Sequence, residues 1–251
     1  MKLRALTVGV VVTLLAGLPA CASSGERKTP MVRVLAAASL TESFTKFEAV
    51  YEDKHPAVDV ELSFDSSAIL VEQLQQGLEA DILATADGTT MSRAQQYDLL
   101  AVAPVPFATN TLRLITPPGN PAGVDGLADL AGKTLAVCVP AAPCGVATVQ
   151  LFERGGLELT AATEEQNVKG VLTKVTLGEV DAGLVYASDA LAAGDKVQTI
   201  TTKNASEVVN AYPIGLLAGT RNRKAAQDWI DLVLSVEGQK ILASFGFGPR
   251  G

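Results

Sequence analysis

The chain has 251 residues, 27 acidic against 20 basic side chains, and a formal charge of −7. That length holds one large domain or two lobes. The negative field disfavours nucleic acid or an acidic membrane surface as a partner, but it does not exclude an anionic ligand, because a site can be built from local dipoles.

Lys2 and Arg4 open the chain, Ala5 to Leu18 is apolar apart from Thr7 and Thr13, and Leu18-Pro19-Ala20-Cys21 follows. This order is a secretory signal. The run is shorter than the roughly 20 residues a spanning helix needs, and Gly9, Gly17 and Pro19 weaken it further. A cysteine after a small residue, with leucine three positions earlier, resembles the lipobox of bacterial lipoproteins. The expectation is a signal peptide over 1–20 and acylation of Cys21. A small, polar tether over 21–30 would then hold the protein on the extracytoplasmic face of the cell membrane. Losing Lys2 and Arg4 with the signal makes the mature chain two charges more negative.

From Met31 the pattern alternates strand and helix. Met31 to Ala36 is an apolar run of strand length, and Leu40, Phe44, Phe47 and Tyr51 recur at helical spacing. Val58, Val60, Leu62 and Phe64 alternate as a strand with one buried face. A helix is predicted from Ser67 to Gln76, stopping at Gly77, and a short buried strand over Asp81 to Ala84. Thr111 to Thr116 reads as a strand running into the breaker cluster Pro117 to Pro121. A short helix near Leu127 to Leu130 and a strand from Thr134 to Val139 come next. Helices follow near Gly145 to Glu153 and Val168 to Leu177, with a strand at Ala182 to Tyr186. Pro213 to Leu217 reads as a strand, and Asn222 to Leu234 and Val236 to Ala243 as helices. Such alternation predicts an α/β fold with a largely parallel sheet. Two lobes fit better than one sheet, with 31–110 and 213–251 forming the first lobe and 111–212 the second. A hinge of two crossings would then open or close a ligand cleft.

Three cysteines are present, and acylation of Cys21 would leave Cys138 and Cys144 in an oxidising compartment. An even remainder points to a disulfide, with two buried free thiols as the alternative. A metal pair fits less well, because the spacing is wide and His55, the single histidine, is distant in sequence.

Four segments place polar groups where a strand gives way to a helix, the position at which open α/β sheets bind ligands. Helix N-termini there offer unpaired N–H groups and partial positive charge. The first is Ala36 to Glu42, where Ser39 and Glu42 also fit a capping box. In the second, Asp65-Ser66-Ser67, the hydroxyls serve equally well as helix caps, and Asp65 would repel an anion unless turned away. The third is the loop Pro140 to Gly145, which reads equally as a structural turn. The fourth, Asn167 to Gly170, offers the Val168 N–H at a helix start. Tyr186 ends a strand, where a lone tyrosine is more often core or rim than a ligand contact.

AAASL at Ala36 to Leu40, SFDSSAILVEQL at Ser63 to Leu74, ADILATAD at Ala80 to Asp87 and GLVYASDA at Gly183 to Ala190 together resemble the periplasmic molybdate-binding proteins of ABC importers. So do Tyr212-Pro213 and the terminal Phe245 to Phe247. The resemblance implies the two-lobed type II periplasmic-binding-protein fold. It also implies an oxyanion held by neutral donors: the Ser39 and Ser67 hydroxyls, the Cys144 and Val168 backbone N–H groups and the Tyr186 hydroxyl. The third segment departs from the family pattern, which lacks the two cysteines. Molybdate or tungstate is the implied ligand and an ABC-transporter permease the implied partner. No cofactor, no nucleic acid and a monomer are expected. Sulfate, another oxyanion or a small organic acid is the alternative ligand. An enzyme with a serine nucleophile fits poorly, since there is no Gly-x-Ser-x-Gly elbow and His55 sits in a turn beside Pro56.

Overall fold

The computed structural model describes residues 30–158 and 160–250. The expected signal peptide, Cys21 and all of the tether except Pro30 lie outside the described residues. Among the described residues no helix is long and apolar enough to cross a membrane.

Strands β1 (Met31–Ala37), β2 (Asp59–Asp65) and β3 (Ile82–Ala84) are mutually parallel, with β1 in the middle. Helix α1 (Thr41–Lys54) and helix α2 (Ser67–Gln75) supply the connections, and α3 (Gly88–Gln96) follows β3. Strands β5 (Leu135–Cys138), β6 (Thr163–Glu165) and β7 (Ala182–Tyr186) form a second parallel group. Helices α4 (Pro143–Gly155), α5 (Val168–Thr176) and α6 (Ala187–Ala193) start close behind them.

Two strands join the groups. β4 (Val105–Thr116) pairs antiparallel with β9 (Val209–Leu216) through its first part and with β7 and β8 (Gln198–Ile200) through its second. β9 in turn pairs antiparallel with β3. The sheet is therefore mixed, whereas strand–helix alternation alone predicts a largely parallel one. The pattern marks parts of both strands, Thr111 to Thr116 and Pro213 to Leu217, but carries no sign of their full length or of their antiparallel direction, because each is a single element serving both halves. β4 begins six residues earlier than expected, at Val105, and Asn110 and Tyr212 lie within strands rather than in loops.

This topology positions the site. β4 runs parallel to β1–β3 in the first half and antiparallel to β7 in the second. The carboxyl ends of both parallel groups therefore point at each other across the β4/β9 crossing. One apolar core runs through both halves, from Val34 and Phe44 to Leu151 and Val185. Its densest part is aromatic, where Phe44, Phe47 and Tyr51 on α1 surround Trp229 at centroid distances of 5.5–6.2 Å. Trp229 comes from α7 (Arg223–Leu234), which α8 (Val236–Ser244) follows. Each such fully buried side chain contributes about 1.5–3 kcal/mol, so α1 and α7 are held firmly against the first half.

Candidate functional site

A small, nearly closed cavity lies where the two sets of carboxyl ends meet. Ala37 to Ser39, Asp65 to Ser67 and Ala86 line it from the first half; Pro143, Cys144, Asn167, Val168 and Tyr186 line it from the second. All five residues expected to contact a ligand are thus in one place. A larger hollow near Arg33, Glu79 and Arg221 lies at the opposite, amino end of β1. Its arginines are spent on neighbours, Arg33 on Glu61 at 2.9 Å and Arg221 on Glu79 at 2.8 Å.

Three helices present their N-termini to the cavity with donors left over. Among the described residues, α2 has Ser66 as N-cap but no side-chain cap bond. α4 has Ala142 as N-cap and Pro143 as first residue, so its first N–H groups belong to Cys144 and Gly145. α5 is capped by Asn167, whose Oδ1 accepts from Lys169 N and Gly170 N, leaving Val168 N–H unused by the cap. Each N-terminus carries about half a positive charge. Among the described lining residues no lysine, arginine or histidine is present.

The hydroxyls are oriented from behind. Ser67 Oγ accepts from Ala86 N at 3.0 Å, so its own proton points elsewhere. Ser39 Oγ lies 2.9 Å from Tyr212 Oη. Tyr186 Oη accepts from Asn210 Nδ2 at 3.1 Å, which leaves the phenolic proton to donate. Burial holds the Tyr186 hydroxyl well above its ordinary pKa, reinforced by nearby Tyr212, Asp87 and Asp189, and burial does the same for Tyr212. Both phenols therefore stay protonated and uncharged at physiological pH.

The capping box expected at Ser39–Glu42 does not form. Leu40 is the N-cap of α1, and Ser39 lies inside a 3-10 turn, Ala38–Leu40. Tyr212 takes the Ser39 hydroxyl and Lys169 takes the Glu42 carboxylate at 2.7 Å. The cap reading of Ser66 and Ser67 fails in the same way, since neither hydroxyl closes on its helix. His55 ends α1 and stacks on Tyr51 at 4.4 Å, outside the cavity lining.

The disulfide expected between Cys138 and Cys144 is present, with Cα atoms 5.7 Å apart. It ties the end of β5 to the first turn of α4 across the loop. Gly145 must be glycine there, because a Cβ would sit 2.0 Å from Val139 O.

Polar contacts also cross between the halves. Asp65 Oδ1 accepts from Asn167 Nδ2 at 2.9 Å and from Ser66 N at 2.7 Å. The acidic group that would repel an anion is thereby occupied. Lys169 Nζ bridges Glu42 of the first half and Asp189 of the second, 2.9 Å from Asp189 Oδ1. The sequence places Lys169 within the fourth segment and Asp189 and Tyr212 within the family motifs but assigns them no role, and it does not single out Asn210. For Asn210 the only local signal is polarity inside an otherwise apolar strand.

A cavity built from helix N-termini and hydroxyls, in a crevice between two α/β halves, defines a solute-binding fold suited to an anion. The match to known proteins agrees. Residues 32–248 match the model of the bacterial extracellular solute-binding protein family, and the chain belongs to that family. The molybdate-binding protein ModA of Mycobacterium tuberculosis is 38% identical, over 98% of this chain and 99% of the relative. The Azotobacter vinelandii periplasmic molybdate-binding protein superposes with a TM-score of 0.77 at 20% identity, covering 88% of this chain and 100% of the other. The sulfate-binding protein SubI of Mycobacterium tuberculosis superposes with a TM-score of 0.71 at 17% identity, covering 88% and 87%. At such identities the superpositions speak for the fold alone, and two ligands on one fold leave the choice of ligand to the site.

Proposed function

We propose that the protein binds molybdate, and tungstate with it, and delivers the anion to an ABC-transporter permease from the outer face of the cell membrane, anchored there through Cys21. The observation that carries this reading is the donor set of the cavity. Ser39, Ser67, Tyr186, Cys144 and Val168 all line one small space that holds no lysine, arginine or histidine among its described lining residues, and their hydroxyls and N–H groups are the donors we assign to the anion. A fully deprotonated tetrahedral dianion needs donors only. Hydrogen bonds to a charged partner contribute about 1.5–3 kcal/mol each, and several together outweigh the costs of desolvation and closure. Phosphate, often protonated, brings a donor of its own into a space rich in donors. The identity with ModA supports molybdate over other dianions.

On this reading 31–110 and 213–251 act as one lobe and 111–212 as the other. β4 and β9 form the hinge, and the cross-half contacts of Lys169 and Asn167 belong to the closed state. The protein acts as a monomer, without a cofactor, and is not an enzyme: Ser39 and Ser67 contact Tyr212 and Ala86 rather than a base. Calorimetric titration with molybdate, tungstate, sulfate and phosphate tests the proposal. Molybdate and tungstate should bind far more tightly than phosphate, and equal affinities would overturn it.

A further inference from the structure

Ser66 has a polar atom that nothing in the fold uses. Its N–H donates to Asp65 Oδ1 at 2.7 Å, and its carbonyl accepts from Leu70 N at 3.0 Å. Its Oγ is buried and has no hydrogen-bond partner among the described residues. The residue as a whole is only 5% exposed and lines the cavity. Ser66 is the N-cap of α2, where a serine hydroxyl normally accepts from the first turn of its helix. Here that bond is absent. A buried hydroxyl left unpaired lowers stability, and native structures keep such groups rarely and for a reason. The neighbouring Ser67 shows what a structurally committed hydroxyl looks like in this loop, since its Oγ is held by Ala86 N.

We infer that Ser66 Oγ is a further anion contact, an extra donor beside Ser67 that is satisfied only when the cavity is filled. The inference rests on the oxyanion reading of the cavity. The two serines differ in kind: Ser67 is set in advance by Ala86, whereas Ser66 is a free rotor whose partner is the ligand. An oxygen of a tetrahedral anion facing the start of α2 would thus meet two adjacent hydroxyls from one loop. Because the Ser66 N–H is already committed to Asp65, the hydroxyl is the only donor this residue has left.

The test uses molybdate as probe and compares wild type with Ser66→Ala, Ser66→Gly and Ser67→Ala by calorimetry and by thermal unfolding without ligand. Glycine remains an acceptable N-cap, so the second variant keeps the helix start while losing the hydroxyl. Both Ser66 variants should bind molybdate roughly ten- to hundredfold more weakly, as expected for one lost bond to a charged group. In addition, Ser66→Ala should unfold no lower than wild type without ligand. If Ser67→Ala is weakened while both Ser66 variants bind like wild type, the Ser66 assignment falls and the oxyanion reading stands. A lowered melting temperature of ligand-free Ser66→Ala with unchanged affinity would make the hydroxyl an ordinary cap, and likewise overturns the assignment. If wild type itself fails to bind molybdate, both readings fall.

Discussion

Replacing Lys169 with methionine is the sharpest test of how the two halves are held together beside the cavity. Lys169 Nζ lies 2.9 Å from Asp189 Oδ1 and 2.7 Å from Glu42 Oε1. The Asp189 side chain is fully buried, while Lys169 and Glu42 are partly exposed. Methionine keeps the stem and removes the charge, so Asp189 is left with the Tyr186 N–H at 3.3 Å as its remaining contact. Breaking a buried pair in this way costs about 3–5 kcal/mol, and the partial exposure of Lys169 puts the expected loss near the lower bound, about 3 kcal/mol. Glu42→Gln removes only the half-exposed arm, worth about 0.5–1 kcal/mol. That arm joins the two halves, so the change should appear as a two- to fivefold weaker ligand affinity, by the usual conversion of about 1.4 kcal/mol per tenfold, rather than as lost stability.

The pH dependence carries a sign that can be checked. Burial raises the Asp189 carboxyl above its ordinary range, and Lys169 pulls it back. Burial lowers the Lys169 ammonium, but Asp189 and Glu42 outweigh it and the net shift is upward. A carboxyl whose folded pKa exceeds its unfolded one takes up a proton on folding, so it subtracts stability as pH rises through that window. Without Lys169 the window widens upward. The urea-midpoint deficit of ligand-free Lys169→Met against wild type should therefore grow as pH rises and shrink as pH falls toward the acid side. Equal midpoints, or a deficit that does not change with pH, would refute the buried-pair account.

Tyr186→Phe should weaken molybdate binding roughly ten- to hundredfold by calorimetry, since it removes one donor to a charged partner; wild-type affinity would return Tyr186 to a packing role. Gly145→Ala should largely abolish binding in the same assay, because its Cβ cannot coexist with Val139 O at 2.0 Å and α4 must shift its first turn. Opening the Cys138–Cys144 bond by paired Cys→Ser changes should lower stability by about 2 kcal/mol in the chain-entropy view of so short a loop, read as a shift in the unfolding midpoint. Mass spectrometry of the mature protein from native membranes should find Cys21 acylated at the N-terminus, and an unmodified or different N-terminus would sink the anchor.

Much of the cavity was legible in the sequence because it is assembled from strand-to-helix junctions, and those leave local marks. Ser39, Ser67, Cys144, Val168 and Tyr186 each stand at such a junction, and the structure gathers all five. What lies behind them was not legible. Asn210 and the bond that Tyr212 makes to Ser39 depend on β9, whose antiparallel pairing with β4 joins residues about a hundred positions apart and leaves no periodic trace. The capping box failed for a related reason. Its spacing is a local motif, but Lys169, distant in sequence, offers Glu42 a full charge where the helix start offers a fraction of one. Ser66 and Ser67 were equivalent as letters, and only the position of Ala86 N separates their roles.

The place of β1 has a mechanical consequence. Met31 enters the sheet as a central strand, matched to β2 over seven residues and to β3 over three, and Pro30 O already accepts from Asp59 N. A load applied at the amino end of the domain, such as drag against a membrane anchor, runs along β1 and is resisted in shear by two parallel ladders at once. β4 is not paired with β1, and β9 is linked to it only through β3. Were the chain moored through Cys21, tension there would bear first on β1 and reach the strands that join the halves only through β3, which sets the point of attachment apart from the crossing that a ligand would open and close.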